Sequence, residues 1–149
     1  MQTMLLDQTL WDVVLDAAGN WAVASDPYSI SQDCASAIKT VLGEVYYNTL
    51  EGINYFGLIL GKNPPLQLLK SQIIGACLTV PQVTAAVVFI SSTQGRTVKG
   101  QVLITYTTVA TATEPVGTGQ ALIFFVGDNG GVITFVGDNG GVIEFVGIF

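Results

Sequence analysis

The sequence contains no histidine, few charged residues and only two cysteines. Without histidine, the chain lacks the commonest general base at neutral pH and the commonest metal ligand. Only 11% of its 149 residues are charged and 50% are hydrophobic, whereas about a quarter of the residues are charged in ordinary soluble domains. We therefore expect no cofactor, and we expect partner proteins to cover much of the surface.

Basic residues are too few and too dispersed to form a nucleic-acid site. The net charge is −6, and the five basic residues are spread along the chain, at Lys39, Lys62, Lys70, Arg96 and Lys99. Nucleic-acid binding proteins gather such residues on one face, where they neutralise phosphates. The sequence therefore predicts no nucleic-acid partner.

Long apolar runs are absent as well. No run approaches the ~18 residues that a transmembrane helix needs. The first residues, MQTMLLDQTL, lack the positive start and the long apolar core of a signal peptide. We expect no contact with a membrane, and a protein that is used inside the cell or assembled into a particle there.

The two cysteines, Cys34 and Cys77, fall on apolar faces of predicted helices and show no CxxC spacing. Free cysteine is among the most buried residue types, so two reduced thiols in the core are the favoured interpretation. A disulfide or a metal site is the alternative.

The densest pattern lies between Ser29 and Gly61. Apolar residues recur there at three- and four-residue steps, which predicts an amphipathic helix. Ser29 with Gln32 is typical of a capping-box start, and Gly43 is typical of a left-handed helix end. The aromatic run EVYYNTLEGINYFG follows. We expect a short helical turn from Ile53 to Leu60, which begins in this run and extends beyond it.

The remaining periodicities predict a hairpin, a second helix and two strands. Residues 1–9 read as a loosely held arm, and residues 10–15 and 21–24 as a hairpin. Cross-strand packing of the two tryptophans is the favoured interpretation, and an exposed anchor is the alternative. A second helix starts at Asn63-Pro64-Pro65 and is closed by Pro81. The apolar run 83–90 predicts a central strand covered on both faces, and 97–108 predicts its antiparallel partner.

The C-terminal sequence repeats itself as FVGDNGGVIT, FVGDNGGVIE and FVGIF. Each Asp-Asn-Gly-Gly group is a tight-turn signal and each Val-Ile-x-Phe-Val group is a strand signal, which predicts a three-stranded β-meander. Ile133, Phe135, Ile143 and Phe145 then share one face. The turns are also similar to those of calcium-binding β-rolls, but each carries one carboxylate and the period does not fit, so plain turns are favoured.

These elements predict an α+β fold: a mainly antiparallel sheet with two principal helices on one face, plus the C-terminal three-stranded meander. We expect an α+β domain over residues 1–109, a linker over 110–120, and a meander extension over 121–149. Both faces and both edges of the meander are largely apolar, so we interpret it as an assembly element that recruits strands.

The order of the parts in the first two thirds of the chain resembles a known family. A turn from Asp16 to Asn20 is followed by a helix containing Gln32, by the pair Gly43-Glu44, and by an aromatic, glycine-containing loop before a second helix. This order is similar to that of the baseplate wedge family of contractile phage tails. The family is shared with type VI secretion baseplates and was historically labelled lysozyme-like.

The resemblance covers Leu10 to Thr107, with one departure. In many members of the family the glutamate is followed by Pro and Arg, whereas this chain has Val45 and Tyr46. Only Glu44 is therefore carried over from the motif. Its carboxylate can cap backbone N–H groups or pair with a basic residue across an interface, and the alternative is a solvated acid at a helix end.

The resemblance implies a structural subunit of the virion, located in the tail baseplate and assembled in the host cytoplasm. Six copies would surround the tail axis, bridge other baseplate wedge proteins, and offer a sheet to which the first ring of tail sheath protein adds strands. Central hub or tube proteins are further candidate partners. A type VI secretion baseplate homologue is an alternative that shares the fold and serves a different particle.

Aromatic side chains are the other expected contacts with these partners, because large aromatic residues dominate protein interfaces. The full set of candidate interaction residues is Glu44, Tyr46, Tyr47, Tyr55, Phe56, Phe125, Phe135 and Phe145.

The lysozyme-like label also suggests a tail-associated peptidoglycan hydrolase as an alternative. Glycoside hydrolysis uses two carboxylates beside the scissile bond. Glu44 is the best acid because the neighbouring tyrosines can stack sugars, and Asp33 or Glu51 would be its partner. Neither spacing favours such a pair, and serine or thiol chemistry lacks a histidine base, so we expect no enzyme.

Overall fold

A computed structural model describes residues 2–7, 10–59, 65–94, 97–107, 117–127, 131–136 and 142–147 of the chain. The elements in this part are two α-helices, one short π-helix and seven strands. In chain order they are β1 (Gln2–Met4), β2 (Val23–Ser25), α1 (Tyr28–Lys39), the π-helix (Tyr55–Ile59), α2 (Leu66–Leu78), β3 (Val83–Gln94), β4 (Thr97–Thr107), β5 (Thr118–Gly127), β6 (Gly131–Val136) and β7 (Val142–Gly147).

The prediction that residues 1–9 form a loose arm is wrong for the part that is described. Gln2–Met4 pairs with Val23–Ser25 as a two-stranded antiparallel sheet. The buried side chain of Gln32 on α1 then holds the same segment, because its Oε1 accepts from Leu6 N–H at 3.0 Å and its Nε2 donates to the Met4 carbonyl at 2.8 Å. A side-chain amide thus serves as a second hydrogen-bonding partner for this strand.

The expected hairpin is present as a turn and isolated bridges rather than as two full strands. Asp16 N–H donates to the Asn20 carbonyl at 2.7 Å, and Leu15 bridges to Trp21. The tryptophans do not share a surface as predicted. Trp11 packs against the core, with the Lys39 ammonium 5.0 Å from its ring centre, whereas Trp21 is exposed.

Helix α1 forms where its periodicity predicts, but both of its ends differ from the prediction. It begins at Tyr28, after Pro27, and no side chain caps it. The Ser29 hydroxyl instead donates to Asp26 Oδ1 at 2.7 Å, and Gln32 contacts the N-terminal strand. The helix ends at Lys39 because Thr40 is extended, with ψ 125°.

Helix α2 follows Pro65, as predicted from the proline pair. Its side chains Leu69, Ile73 and Cys77 are buried, and Leu66 is exposed. The helix ends at Leu78, before the predicted stop at Pro81. No helix in the described part of the chain is both long enough and apolar enough to cross a membrane.

Strands β3 to β7 form one antiparallel sheet in sequential order, which confirms the α+β class. The predicted hairpin of β3 and β4 is present. In the repeat region, β6 and β7 pair Ile133 with Phe145 and Phe135 with Ile143. The four positions therefore share one face of the sheet, as the repeat pattern predicts. The turns of this region and the final residues lie outside the described residues.

The core lies between the two helices and one face of the sheet. Buried residues from all of these elements form a single cluster, namely Ile30, Cys34 and Ile38 of α1, Leu69, Ile73 and Cys77 of α2, Val88 of β3, Val102, Ile104 and Tyr106 of β4, and Ala121 and Ile123 of β5. The prediction that the run 83–90 is covered on both faces is wrong. Val87 and Phe89 are exposed on the face away from the helices, and β3 is an edge strand.

The predicted boundary at residue 121 falls inside β5. That strand begins at Thr118 and pairs with β4 as far as Gly127, while Ala121 and Ile123 belong to the core. The first part of the predicted extension is therefore integral to the main sheet. The division into a domain, a linker and an extension otherwise stays a prediction, and most of the linker lies outside the described residues.

The core role of β5 can be tested with Ile123→Ala. Because Ile123 is fully buried, we expect the free energy of unfolding to fall by ~2–5 kcal/mol in urea titrations. Val87→Thr is the control, since Val87 is exposed and threonine keeps the branched shape; its effect should stay within about 0.5 kcal/mol. Equal effects of the two variants would contradict the assignment of β5 to the core.

Candidate interaction site

The segment 41–53, which we call the aromatic loop, leaves and rejoins the body of the protein at one point. Leu42 N–H donates to the Ile53 carbonyl and Ile53 N–H to the Thr40 carbonyl, both at 2.9 Å, so that Val41 and Ile53 form a bridge. Gly52 has φ 107°, and a Cβ there would lie 2.6 Å from the Val41 carbonyl carbon. Glycine is therefore required at this closure, which is typical of an Ω-loop.

Glu44 closes the first turn of the aromatic loop. Its backbone N–H donates to the Val41 carbonyl at 3.0 Å, and its carboxylate Oε2 accepts from Val41 N–H at 2.9 Å. Gly43 lies between them with φ 88°, a conformation that glycine adopts without a steric penalty. The carboxylate predicted as an interaction residue therefore caps a backbone N–H of its own loop.

Two further turns complete the loop. Asn48 N–H donates to the Val45 carbonyl and Glu51 N–H to the Asn48 carbonyl, each at 3.1 Å. The Asn48 side-chain amide also donates to the Glu51 carboxylate at 3.2 Å. The side chains of Glu44, Asn48 and Glu51 are thus engaged with one another or with the loop backbone, although they remain exposed to solvent.

Three large apolar side chains of the loop face solvent instead. Tyr46 is 97% exposed, Tyr47 90% and Leu50 88%, and we call these three residues the loop tip. Large apolar side chains held almost wholly in water by an ordered backbone are typical of a site that a partner covers.

Tyr55, another predicted interaction residue, lies in the core below the loop. It is buried, and its hydroxyl donates to the Ile38 carbonyl near the end of α1 at 2.6 Å. Burial raises the pKa of this phenol. Tyr55 supports the loop from beneath and, because it is buried, offers little surface to a partner. Its neighbour Phe56 is exposed.

The predicted aromatic positions of the repeats lie in adjacent strands. Phe125 of β5 stands opposite Ile133, which in turn stands opposite Phe145. Phe135 stands opposite the core residue Ile123 and opposite Ile143. The structure therefore brings these three positions together in one part of the sheet.

The carboxylates considered for hydrolysis, Glu44, Asp33 and Glu51, do not line one groove in the described part of the chain. A groove of about 210 Å³ lies between α1, α2 and the aromatic loop, and Glu51 is the sole carboxylate among its lining residues. Burial raises the pKa of Asp33 on α1, but Asp33 does not line the groove and neither does Glu44. The groove thus lacks the pair of carboxylates that glycoside hydrolysis requires.

The thiols are free and buried, which confirms the interpretation of Cys34 and Cys77 as reduced core residues. Their mutual hydrogen bond, together with burial, raises the pKa of Cys34. Among the described residues, no group of three or more Cys, Asp or Glu side chains could hold a metal ion.

Three exposed apolar residues of the candidate surfaces, Leu50, Val87 and Phe89, were not predicted from the sequence. Leu50 lies between the turn residues Asn48 and Gly52, a position that by itself indicates a loop tip. No comparable signal marks Val87 and Phe89, because an uninterrupted apolar strand reads alike whether one face or both are covered.

Comparison with known protein families gives a match, over residues 2–111, to the contractile injection system sheath initiator family. This span is well over half of the chain, so the chain belongs to that family. Comparison with curated protein sequences gives no match.

A sheath initiator is a structural part of a contractile tail, so the chain has a structural role in sheath initiation. It belongs to a tail or baseplate and interacts with sheath and baseplate components. The family is structural rather than enzymatic. The narrower assignment to the wedge family stays a prediction.

The support that Tyr55 gives to the loop can be tested by alkaline unfolding. The folded state raises the pKa of the phenol, so its contribution is full below the unfolded pKa of about 10 and is lost as the pH rises above it. Tyr55→Phe should cost ~0.5–1.5 kcal/mol of unfolding free energy at neutral pH and should reduce the loss of stability above about pH 10.

Urea titrations at neutral and alkaline pH measure both effects. Tyr47→Phe is the matched control, because Tyr47 is exposed, and it should behave as the wild type. An unchanged alkaline loss in Tyr55→Phe would contradict this account of the buried phenol.

Proposed function

We propose that this chain is a non-enzymatic subunit of a phage tail baseplate, which bridges other wedge proteins and templates the first ring of tail sheath. The observation that supports this proposal most directly is the unpaired outer edge of β3 among the described residues. Strand β3 is an edge strand of the five-stranded sheet, and no strand among the described residues pairs with its outer side. Unpaired strand edges are templates for another chain.

The composition of β3 fits such a template. Natural edge strands are usually protected by lysine, proline or inward-pointing charges, whereas Val83–Gln94 contains no proline and no charged residue. Register shifts at Val83/Ala85 and Ile90/Ser92 bound its regular part. An added strand would therefore run along Ala85–Ile90.

The exposed face of β3 supplies the apolar part of the contact. Phe89 is 52% exposed and Val87 46%, and both lie on the face away from the helices. Main-chain hydrogen bonds give affinity in strand addition, and alternate side chains fix the register. A sheath strand with apolar residues at alternate positions would cover Val87 and Phe89. In a ring of six copies, such edges would set the starting register of the sheath.

The strand edge can be tested with Val87→Lys. We expect the variant to fold, because the residue is exposed, but an unpaired charge in the new interface costs several kcal/mol. The fraction of sheathed tails, counted by electron microscopy of particles that carry the variant, should fall at least about tenfold.

Gln67→Lys on the exposed face of α2 adds the same charge away from the edge and should leave sheathing unchanged. Normal sheathing in particles that carry Val87→Lys would contradict the proposed edge. Clearing of a peptidoglycan substrate by the purified wild-type chain would contradict the structural role itself.

A further inference from the structure

We propose that the loop tip, formed by Tyr46, Tyr47 and Leu50, is a preorganised docking element for a second baseplate protein, and that Glu44 is its positioning residue. This inference rests on the proposed function and adds the surface that faces the baseplate rather than the sheath. The partner it fits has an apolar pocket rimmed by basic side chains.

Preorganisation follows from the hydrogen bonds of the loop. Three successive turns, the bridge of Val41 with Ile53 and the tight contact at Gly52 fix the backbone before any partner binds. A partner then has little loop entropy to remove, which favours affinity. Tyrosine adds contact area at a low cost in side-chain entropy.

The charge around the loop tip selects the partner. Residues 41–53 contain Glu44 and Glu51 and no lysine or arginine, and both carboxylates are exposed. Basic residues at the rim of a pocket would complement them. A second copy of the chain would bring the same acidic residues into contact, and an anionic membrane surface would repel them, so a basic-rimmed protein pocket is the occupant that fits.

Glu44 acts through the backbone of the loop. Its carboxylate accepts from Val41 N–H at 2.9 Å, and this bond uses the acceptor property of the side chain rather than its charge. Glutamine retains an acceptor oxygen at the same place, whereas alanine removes it. The two substitutions therefore separate a positioning role from a direct charge contact with the partner.

The experiment measures the amount of tagged chain that is incorporated into purified particles. Tyr46→Ser/Tyr47→Ser should unfold at the wild-type temperature, because both residues are exposed, and should be incorporated at least about tenfold less. Leu10→Ser, at an exposed apolar residue outside the loop, should be incorporated as the wild type. Full incorporation of the double variant would overturn the docking proposal.

The glutamate variants complete the test. Glu44→Gln should keep slow hydrogen exchange at the Val41 amide and most of the incorporation, because Glu51 still supplies negative charge beside the loop tip. Glu44→Ala should speed that exchange at least about tenfold and reduce incorporation. If both variants lose incorporation while the Val41 amide stays protected, Glu44 is a charge contact and the positioning role is wrong. If neither variant changes hydrogen exchange or incorporation, the positioning role of Glu44 is wrong as well.

Photo-crosslinking identifies the occupant. With p-benzoylphenylalanine in place of Tyr47, assembled particles should give a crosslink to another particle protein, in a peptide that has lysine or arginine beside apolar residues. A crosslink to a second copy, to lipid or to an acidic peptide would overturn the proposal. Absence of the wild-type chain from particles would instead overturn the proposed function, so the two failures can be told apart.

Discussion

The structure depends on the burial of one sheet face beneath two helices. Residues such as Ile30, Ile73 and Ile104 join α1, α2 and β4 in one cluster, and this apolar contact is the main favourable contribution to folding. Two helices of this length cover one face and no more. Val87 and Phe89 therefore remain exposed on the other face, and an uncharged strand edge lies beside them.

The aromatic loop follows from the same arrangement. Helix α1 ends at Lys39, and its last turn is satisfied by the Thr40 hydroxyl, which donates to Ser36, and by the Tyr55 hydroxyl, which donates to Ile38. The chain can then leave the helix and return at Ile53. Because Glu44, Asn48 and Glu51 satisfy groups within the loop, the aromatic residues are the ones left for a partner. The low charge of the surface is consistent with a protein that functions within an assembly.

Periodicity predicted α1, α2, the pairing of β3 with β4 and the strands of the repeats, because each depends on neighbours within a few residues or on a short connection. Periodicity failed where a side chain hydrogen-bonds to residues that are distant in sequence instead of to its own helix. Gln32 looked like part of a helix cap, but it binds Met4 and Leu6 of the N-terminal strand. Of the candidate site, Glu44, Tyr46 and Tyr47 were identified from the sequence, whereas Tyr55 could not be separated from them, since burial of one aromatic residue depends on which element packs over it.

The sequence by itself determined the α+β class, the contractile-tail resemblance and the lack of a histidine-based chemistry, since these depend on composition and on local order. The tertiary structure alone decided which apolar residues face water. The reason is physical, because a side chain is buried or exposed according to the elements packed around it. The residues next to Val87 and Tyr55 in the sequence do not show which elements those are.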